Sequence, residues 1–591
     1  MVSGEPNCVA ACGMLKTSLP IEMHTLSSDL LRTLEEDLSK VVLSLRQEHN
    51  SRTFPGKLPP EVLLHVFRHA REVKDTLDDD SHLIIPPPDH KTLLSLTHVC
   101  RFWRSTAIAS PALWSHVPRV PVKISSLFLQ RAGKKVPLTI HIIGLSFPWW
   151  REDPRKPTLS LRVRALIIDT SHSDMAGYTA KNSLRPVAPH LRYLAITSPI
   201  REYRYSDPPA ITSTTLFGGA APALTAFALT LRSGVLYADS FPALAHLRIA
   251  GSEHIVLPAL SLLAMLEHTP ALETLYVRNT TMRHPKQALP LPTVRLDRLR
   301  AGSIDTQSVD AACALVQALR IPATGTLQLH LLKVLSKAAL ALPSTLGEAL
   351  GPLAALEVIA GSSFFHVRTR RPEGGGLWLE FYAKDGGGVR EQVLAPLVRA
   401  LGPALADVRT LRVSAYWTHY RDGLLATVLK TAGPHITALD ALVVATPNHT
   451  WAEGAEGLRG ALAPRREGDG EGEDVVPLPA LTTIGVESQG CDGRFYEPFV
   501  DVLRQRAARG HRLERVVLHG SRAWQTTEQE QQAAAEVEGL VGTVEYAKRA
   551  VWDVECDPAW RTMNEHWVLF PRADEENCHW AWGGLFPGKH R

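Results

Sequence analysis

One short phrase recurs through most of this chain and constrains its fold more than any other feature: Leu-x-x-Leu-x-aliphatic. It stands at Val163-x-x-Leu166-x-Ile168, Leu191-x-x-Leu194-x-Ile196, Leu224-x-x-Phe227-x-Leu229, Leu244-x-x-Leu247-x-Ile249 and Leu272-x-x-Leu275-x-Val277. It returns at Leu353-x-x-Leu356-x-Val358, Val408-x-x-Leu411-x-Val413, Leu439-x-x-Leu442-x-Val444, Leu481-x-x-Ile484-x-Val486 and Leu513-x-x-Val516-x-Leu518. Weaker copies lie at Leu296–Ala301 and around Leu327–Leu329. Most starts are 20 to 33 residues apart, and several follow Pro-Ala or Pro-His, as at Pro189, Pro222, Pro242, Pro270 and Pro479. Aliphatic residues two apart give a short strand with one apolar face. One such strand cannot bury that face alone, so the period implies that successive units stack.

Phrase and period resemble leucine-rich repeats, in which each unit contributes one parallel strand and a returning helix or loop. Helical returns are legible at Ala311–Leu319 and from Tyr496 to Arg506. Few units carry the asparagine or cysteine that closes the strand turn in that family, and the spacing wanders. The expected fold is therefore mixed α/β: a helical module followed, over residues 121–550, by an irregular leucine-rich-repeat-like solenoid of short parallel strands and helices. Two stretches interrupt it. Gly374–Gly376 and Gly386–Gly388 bracket the strand-like Leu377–Ala383, and residues 467–474 form an acidic, glycine-rich loop. Residues 551–591, with Trp552, Trp560, Trp567, Trp580 and Trp582, read as a cap or tail.

The first 120 residues have another texture. Residues 1–27 lack pattern and read as a disordered leader. Over residues 28–50, Leu31, Leu34, Leu38, Val41 and Leu45 are spaced 3, 4, 3, 4 and form one helical stripe, which packs on a neighbour or on a partner helix. Pro59-Pro60 opens a second helix, because proline is tolerated where the amide hydrogen has no partner. Val62, Leu63, Val66 and Phe67 give it an apolar face. Asp78-Asp79-Asp80 and Pro86-Pro87-Pro88 place an exposed loop at 71–91. Helical spacing resumes at Leu93, Leu96, Val99, Cys100 and Trp103, extends through Ala107 and Ile108, and stops at Ser110-Pro111. Leu113 and Trp114 then need burial, and Cys100 reads as a small hydrophobe.

Residues 51–120 resemble an F-box. The match is carried by Leu58, Pro59, Glu61, Val62, Leu63, Val66, Phe67, Leu94, Val99, Cys100, Arg101, Trp103, Arg104, Pro111, Leu113 and Trp114. With the preceding helix and the long internal loop, the stretch is similar to F-box proteins abundant in mushroom-forming fungi. The loop departs from the shorter family connection, at a closure cost well under about 2 kcal/mol. The resemblance implies docking on the Skp-type adaptor of a cullin–RING ubiquitin ligase through Leu58, Pro59, Pro60, Val62, Leu63, Val66, Phe67, Leu94, Val99, Cys100, Trp103, Leu113 and Trp114. The repeat body would then hold an unknown target protein for ubiquitin transfer, with no covalent chemistry and no cofactor in this chain. The competing expectation is a non-degradative scaffold in which the F-box-like helices cap the solenoid.

Charge and cysteine usage fit that reading. Lys plus Arg exceed Asp plus Glu by 64 − 60 = +4, with no concentrated basic region, which argues against nucleic acid as a partner. Seven cysteines, irregularly placed, are no disulfide scaffold. No secretory leader and no run of 18 apolar residues is visible, so no membrane partner is expected and the expected compartment is the cytoplasm or nucleus. The triglycines lack the Gly-Lys-Ser/Thr of a phosphate loop. Cys556, His566, Cys578 and His579 match no compact zinc spacing, so no metal site is assigned.

Strand alternation places Tyr193, His246, Arg248, Thr274, Tyr276, Arg278, Arg298, Arg300, Gln328, His330, Thr410, Arg412 and His519 away from the repeat core. Arg248, Tyr276, Arg278, Arg298, Arg300, His330 and Arg412 are the candidate target-binding residues, since arginine and tyrosine dominate interfaces. An ordinary solvated strand face is the alternative.

Overall fold

The computed structural model describes residues 13, 17, 27–53, 57–71, 90–118 and 122–143, and between 160 and 547 the strands, helices and turns named below. The expected leader apart from residues 13, 17 and 27, the F-box loop at 72–89, Gly386–Gly388, the acidic loop at 467–473 and the tail 551–591 lie outside the described residues. Contacts divide the chain near residue 136 into an N-terminal and a C-terminal unit.

The N-terminal unit is helical. Helix α1 spans Ser28–Arg52, with the Ser27 hydroxyl accepting from the Leu30 amide as cap. Helix α2 spans Pro60–Arg71, with Pro60 in its first turn as the sequence predicts. The periodicity from Leu93 to Ile108 predicts one helix, but there are two: α3, His90–Leu96, and α4, Arg101–Ala109. The break is chemical. The Trp103 amide donates to Cys100 Sγ at 3.5 Å, so Cys100 is the cap of α4 and Val99 sits in the turn before it. A 3₁₀ turn at Pro111–Trp114, a two-residue strand at His116–Val117 and helix α5, Val122–Ala132, follow in the same unit.

The C-terminal unit is built on one long sheet. Its strands are β1 (Leu138–Ile143), β2 (Val163–Asp169), β3 (Tyr193–Thr197), β4 (Ala226–Thr230), β5 (His246–Ala250), β6 (Thr274–Arg278), β7 (Ala301–Thr306) and β8 (Thr326–Leu332). They continue as β9 (Ala355–Ala360), β10 (Phe364–Arg370), β11 (Gly376–Tyr382), β12 (Thr410–Ala415), β13 (Ala441–Thr446), β14 (Thr483–Ser488), β15 (Arg515–Gly520) and β16 (Thr543–Ala547). Helices α6 (Ala259–Glu267), α7 (Val309–Ala318), α8 (Leu346–Leu350), α9 (Val389–Leu401), α10 (Leu424–Ala432), α11 (Tyr496–Ala508) and α12 (Glu528–Leu540) are the returns.

The phrase fixes the strands locally. In the copies beginning at Leu191, Leu224, Leu244, Leu272, Leu353, Val408, Leu439, Leu481 and Leu513, the strand begins two residues later. The fourth and sixth phrase residues point into the core and align across strands: Leu194, Phe227, Leu247 and Leu275 form one rung. Burying such a residue contributes about 1.5–3 kcal/mol.

From β1 to β8 and from β9 through β12 to β16 each neighbour is parallel, but the middle is inverted. Strand β11 pairs parallel with β8, β10 runs antiparallel between β11 and β9, and β9 pairs parallel with β12. The spatial order is therefore β8-β11-β10-β9-β12. A hairpin turned by Gly374–Gly376 is inserted into the solenoid. A Cβ on Gly376 would lie 1.8 Å from the Thr369 carbonyl oxygen, so only glycine permits this approach of β10 and β11.

Candidate protein-interaction sites

In the N-terminal unit, α2, α3 and α4 pack around Leu63, Phe67 and Leu93, all fully buried. The Phe67 and Trp103 rings meet edge-on at 5.2 Å. Trp114 donates its indole N–H to the Ala107 carbonyl at 2.8 Å, meets Phe128 edge-on at 4.9 Å, and carries the Arg131 guanidinium 4.3 Å above its ring. Of the expected adaptor-binding residues, Leu63, Phe67, Leu113 and Trp114 are buried and hold the module together. Leu58, Leu94, Cys100 and Trp103 are half-buried, while Pro59, Pro60, Val62, Val66 and Val99 are exposed. Phe102 and Ile108 on α4 are also large, apolar and exposed. The signal for Phe102 was available, since it falls off the apolar spacing of its helix, whereas that spacing counts Ile108 among the residues to be buried.

In the C-terminal unit, the residues between core positions form a polar face with its own cross-strand rungs. One runs Arg248, Tyr276, Ser303, Gln328, Trp378, Arg368, Glu357, Arg412 across successive strands; the next runs Asp305, His330, Glu380, His366. The inserted hairpin concentrates charge there. His330 Nδ1 lies 3.0 Å from Glu380 Oε2, and Gln328 Nε2 donates to Glu380 Oε1 at 2.7 Å. Glu357 is held between two arginines, Arg368 at 3.4 Å and Arg412 at 3.2 Å. Arg368 also stacks 5.0 Å over the Trp378 ring. Arg278 reaches Asp305 at 4.0 Å, and Arg248 stands 5.7 Å over the Tyr276 ring.

These groups titrate unusually. Burial alone would raise the Glu380 carboxyl, but His330, His366 and Arg368 hold it well below the usual carboxylate range. Burial would likewise lower His330; Glu380 and Asp305 outweigh it and raise it above its ordinary value. His366, desolvated and beside Arg368, is pushed down to about 4 despite Glu380.

The expected target-binding residues thus divide. Arg248 and Tyr276 are buried, whereas Arg278, His330 and Arg412 are partly buried and paired with acids of this same chain, so these five do not form the open face the alternation suggests. Arg298 and Arg300 are exposed but do not lie on a strand: they sit in the turn before β7, Arg300 being 3.8 Å from Glu273. The expected phrase at Leu296–Ala301 is out of step. The working copy is Leu299-x-x-Gly302-x-Ile304, hidden because glycine stands in the leucine position, where a Cβ would lie 2.9 Å from Leu327 Cδ1. In that register the face residues are Ser303 and Asp305, which the phrase could not reveal. Arg368 and Glu380 were also missed, since both lie on the hairpin strands outside the phrase. Glu357 was missed although the alternation in Leu353-x-x-Leu356-x-Val358 already turns it away from the core.

Among the described residues, no group of three or more His, Cys, Asp or Glu is placed to hold a metal ion, and no helix is long and apolar enough to cross a membrane.

Comparison with known proteins fits the N-terminal geometry. Residues 56–118 match the family model described as F-box-like, so the chain carries an F-box-like domain. Among solved structures, the leucine-rich repeat-containing protein LegL7 from Legionella pneumophila is similar at 12% identity, covering 59% of this chain and 91% of that one, with a TM-score of 0.26. At that score the likeness carries no argument, and the repeat architecture rests on the strand ladder itself. No curated protein matches the chain.

Proposed function

We propose that this protein is a substrate-recognition subunit of a Skp–cullin–F-box ubiquitin ligase. The observation that supports it is the F-box-like domain at 56–118 with Val62, Val66, Val99, Phe102 and Ile108 left exposed over a filled core. Exposed aliphatic and aromatic side chains of this kind are what an apolar groove on a Skp-type adaptor would cover. The repeat unit holds a target protein, and the exposed Arg298–Arg300 turn is its best-placed basic contact. The chain contributes proximity and orientation rather than covalent chemistry. The test is affinity capture of the full chain with the Val62→Asp/Val66→Asp double variant beside it. Wild type should retain a Skp-type adaptor and a cullin, and the variant should lose both while keeping its thermal transition. Failure of the wild type to retain a cullin overturns the ligase reading in favour of a scaffold.

A further inference from the structure

Helix α1 belongs to none of the surfaces above, and it is the longest helix described. Its stripe of Leu31, Leu34, Leu38, Val41, Val42 and Leu45 covers about 100° of the helix surface, the width of a buried seam. Yet the second half of the stripe is open: Val41 is 55% exposed, Val42 44% and Leu45 62%. An open groove of about 800 Å³ runs along the helix, lined among others by Leu31, Leu34, Glu35, Leu38, Val42 and Arg46. Soluble chains seldom leave such a stripe uncovered.

The charges say what fits it. Asp29, Glu35, Glu36 and Asp37, against Arg32 alone, make the first half acidic; Lys40, Arg46 and Arg52, against Glu48 alone, make the second half basic. Lys40 and Asp37 pair within the helix, as do Arg52 and Glu48. Among the described residues, neither Glu35 nor Arg46 has an ion-pair partner, and both line the groove. A parallel copy would set acid against acid along the first half. An antiparallel copy sets Leu34 near Leu45, Leu38 near Val41, and Glu35 near Arg46 at both ends of the seam.

We propose that α1 is a homodimerisation element that pairs antiparallel with α1 of a second copy of this chain. The seam is two heptads long, short of the three or four that make an isolated coiled coil secure, so the dimer is concentration-dependent. A dissociation constant on the order of 1–100 μM is expected, as for other small interfaces. The pairing is independent of the F-box reading, because it uses none of the residues assigned to the adaptor.

Sedimentation equilibrium of the full chain across that range tests it. Wild type should pass from monomer to dimer. Val42→Asp/Leu45→Asp should remain monomeric by a shift of at least tenfold in dissociation constant, with an unchanged circular dichroism spectrum. Glu35→Arg and Arg46→Glu should each weaken the dimer, and the double variant should restore it. A wild type that stays monomeric at 100 μM overturns the proposal. So does a dimer indifferent to Val42→Asp/Leu45→Asp. Strengthening by Glu35→Arg alone would mean the helices run parallel and overturns the antiparallel assignment.

Discussion

His330 and Glu380 stand 50 positions apart in the chain, yet the imidazole Nδ1 lies 3.0 Å from the carboxylate on the adjacent strand. Only the hairpin β10–β11, inserted beside β8, makes them neighbours. Around this pair the polar face becomes a buried network whose members constrain one another. Its role in the fold is testable without any partner.

Acid should weaken the C-terminal unit. His366 is held near 4, below its unfolded value of about 6.5, so protons bind the unfolded chain first and its share of stability is lost as pH falls from about 6.5 to 4. Glu380, depressed, acts in the same direction at lower pH; its stability is present above the unfolded carboxylate value and lost on acidification. His330 is raised, so its share is present below about 6.5 and lost as pH rises through its folded value. Urea titrations between pH 4 and 8 should show a net fall on the acid side. His366→Asn should remove up to roughly 3 kcal/mol of it. An identical acid slope in the variant would refute the assignment.

Glu357 neutralises two arginines, and removing it leaves both without that carboxylate in a buried setting. Glu357→Leu should cost about 3–5 kcal/mol, read as a lowered urea midpoint. The triple change Glu357→Leu/Arg368→Met/Arg412→Met should recover much of that loss, because apolar replacement of a buried ion network is often neutral. No recovery would point to a packing role for the arginine stems instead.

Leu63 and Val62 are adjacent in sequence and opposite in consequence. Leu63→Asp places a charge in the filled core of the F-box-like module and should abolish its cooperative transition. Val62→Asp, at a site 45% exposed, should leave the transition within about 0.5 kcal/mol and weaken adaptor capture at least tenfold. Equal loss of folding in both would contradict the assigned burial.

The arginines should separate in the same way. Arg298→Glu/Arg300→Glu lies in an exposed turn and should change stability by less than about 1 kcal/mol while reducing target capture. Arg248→Glu, buried within the polar face beside Tyr276, should lower the thermal midpoint by several degrees. A stable Arg248→Glu protein would show that this face is open after all.

Gly376→Ala should disturb the inserted hairpin alone, since its Cβ meets the Thr369 carbonyl. A loss of more than about 2 kcal/mol and faster amide exchange in β10 and β11 are expected, with α2–α4 unaffected. Uniform exchange across both units would refute the local effect.

The sequence by itself determined what depends on near neighbours. Nine copies of the phrase give the start of their strands, and Pro59-Pro60 and Ser110-Pro111 give the helix boundaries, because aliphatic spacing and proline geometry act over a few residues. The split at Cys100 was less legible, since the apolar periodicity runs through a cap made by one sulfur. Tertiary structure alone decided the β8-β11-β10-β9-β12 order, and with it the meeting of His330, Glu380, Arg368 and Glu357. Strand pairing is set by non-local hydrogen bonds and by which side chains can be buried together, and a repeating local phrase carries neither. Gly302 shows the limit in one residue: the space its missing side chain would fill is bounded by Leu327, 25 positions away, so the copy it belongs to is visible only once the strands are paired.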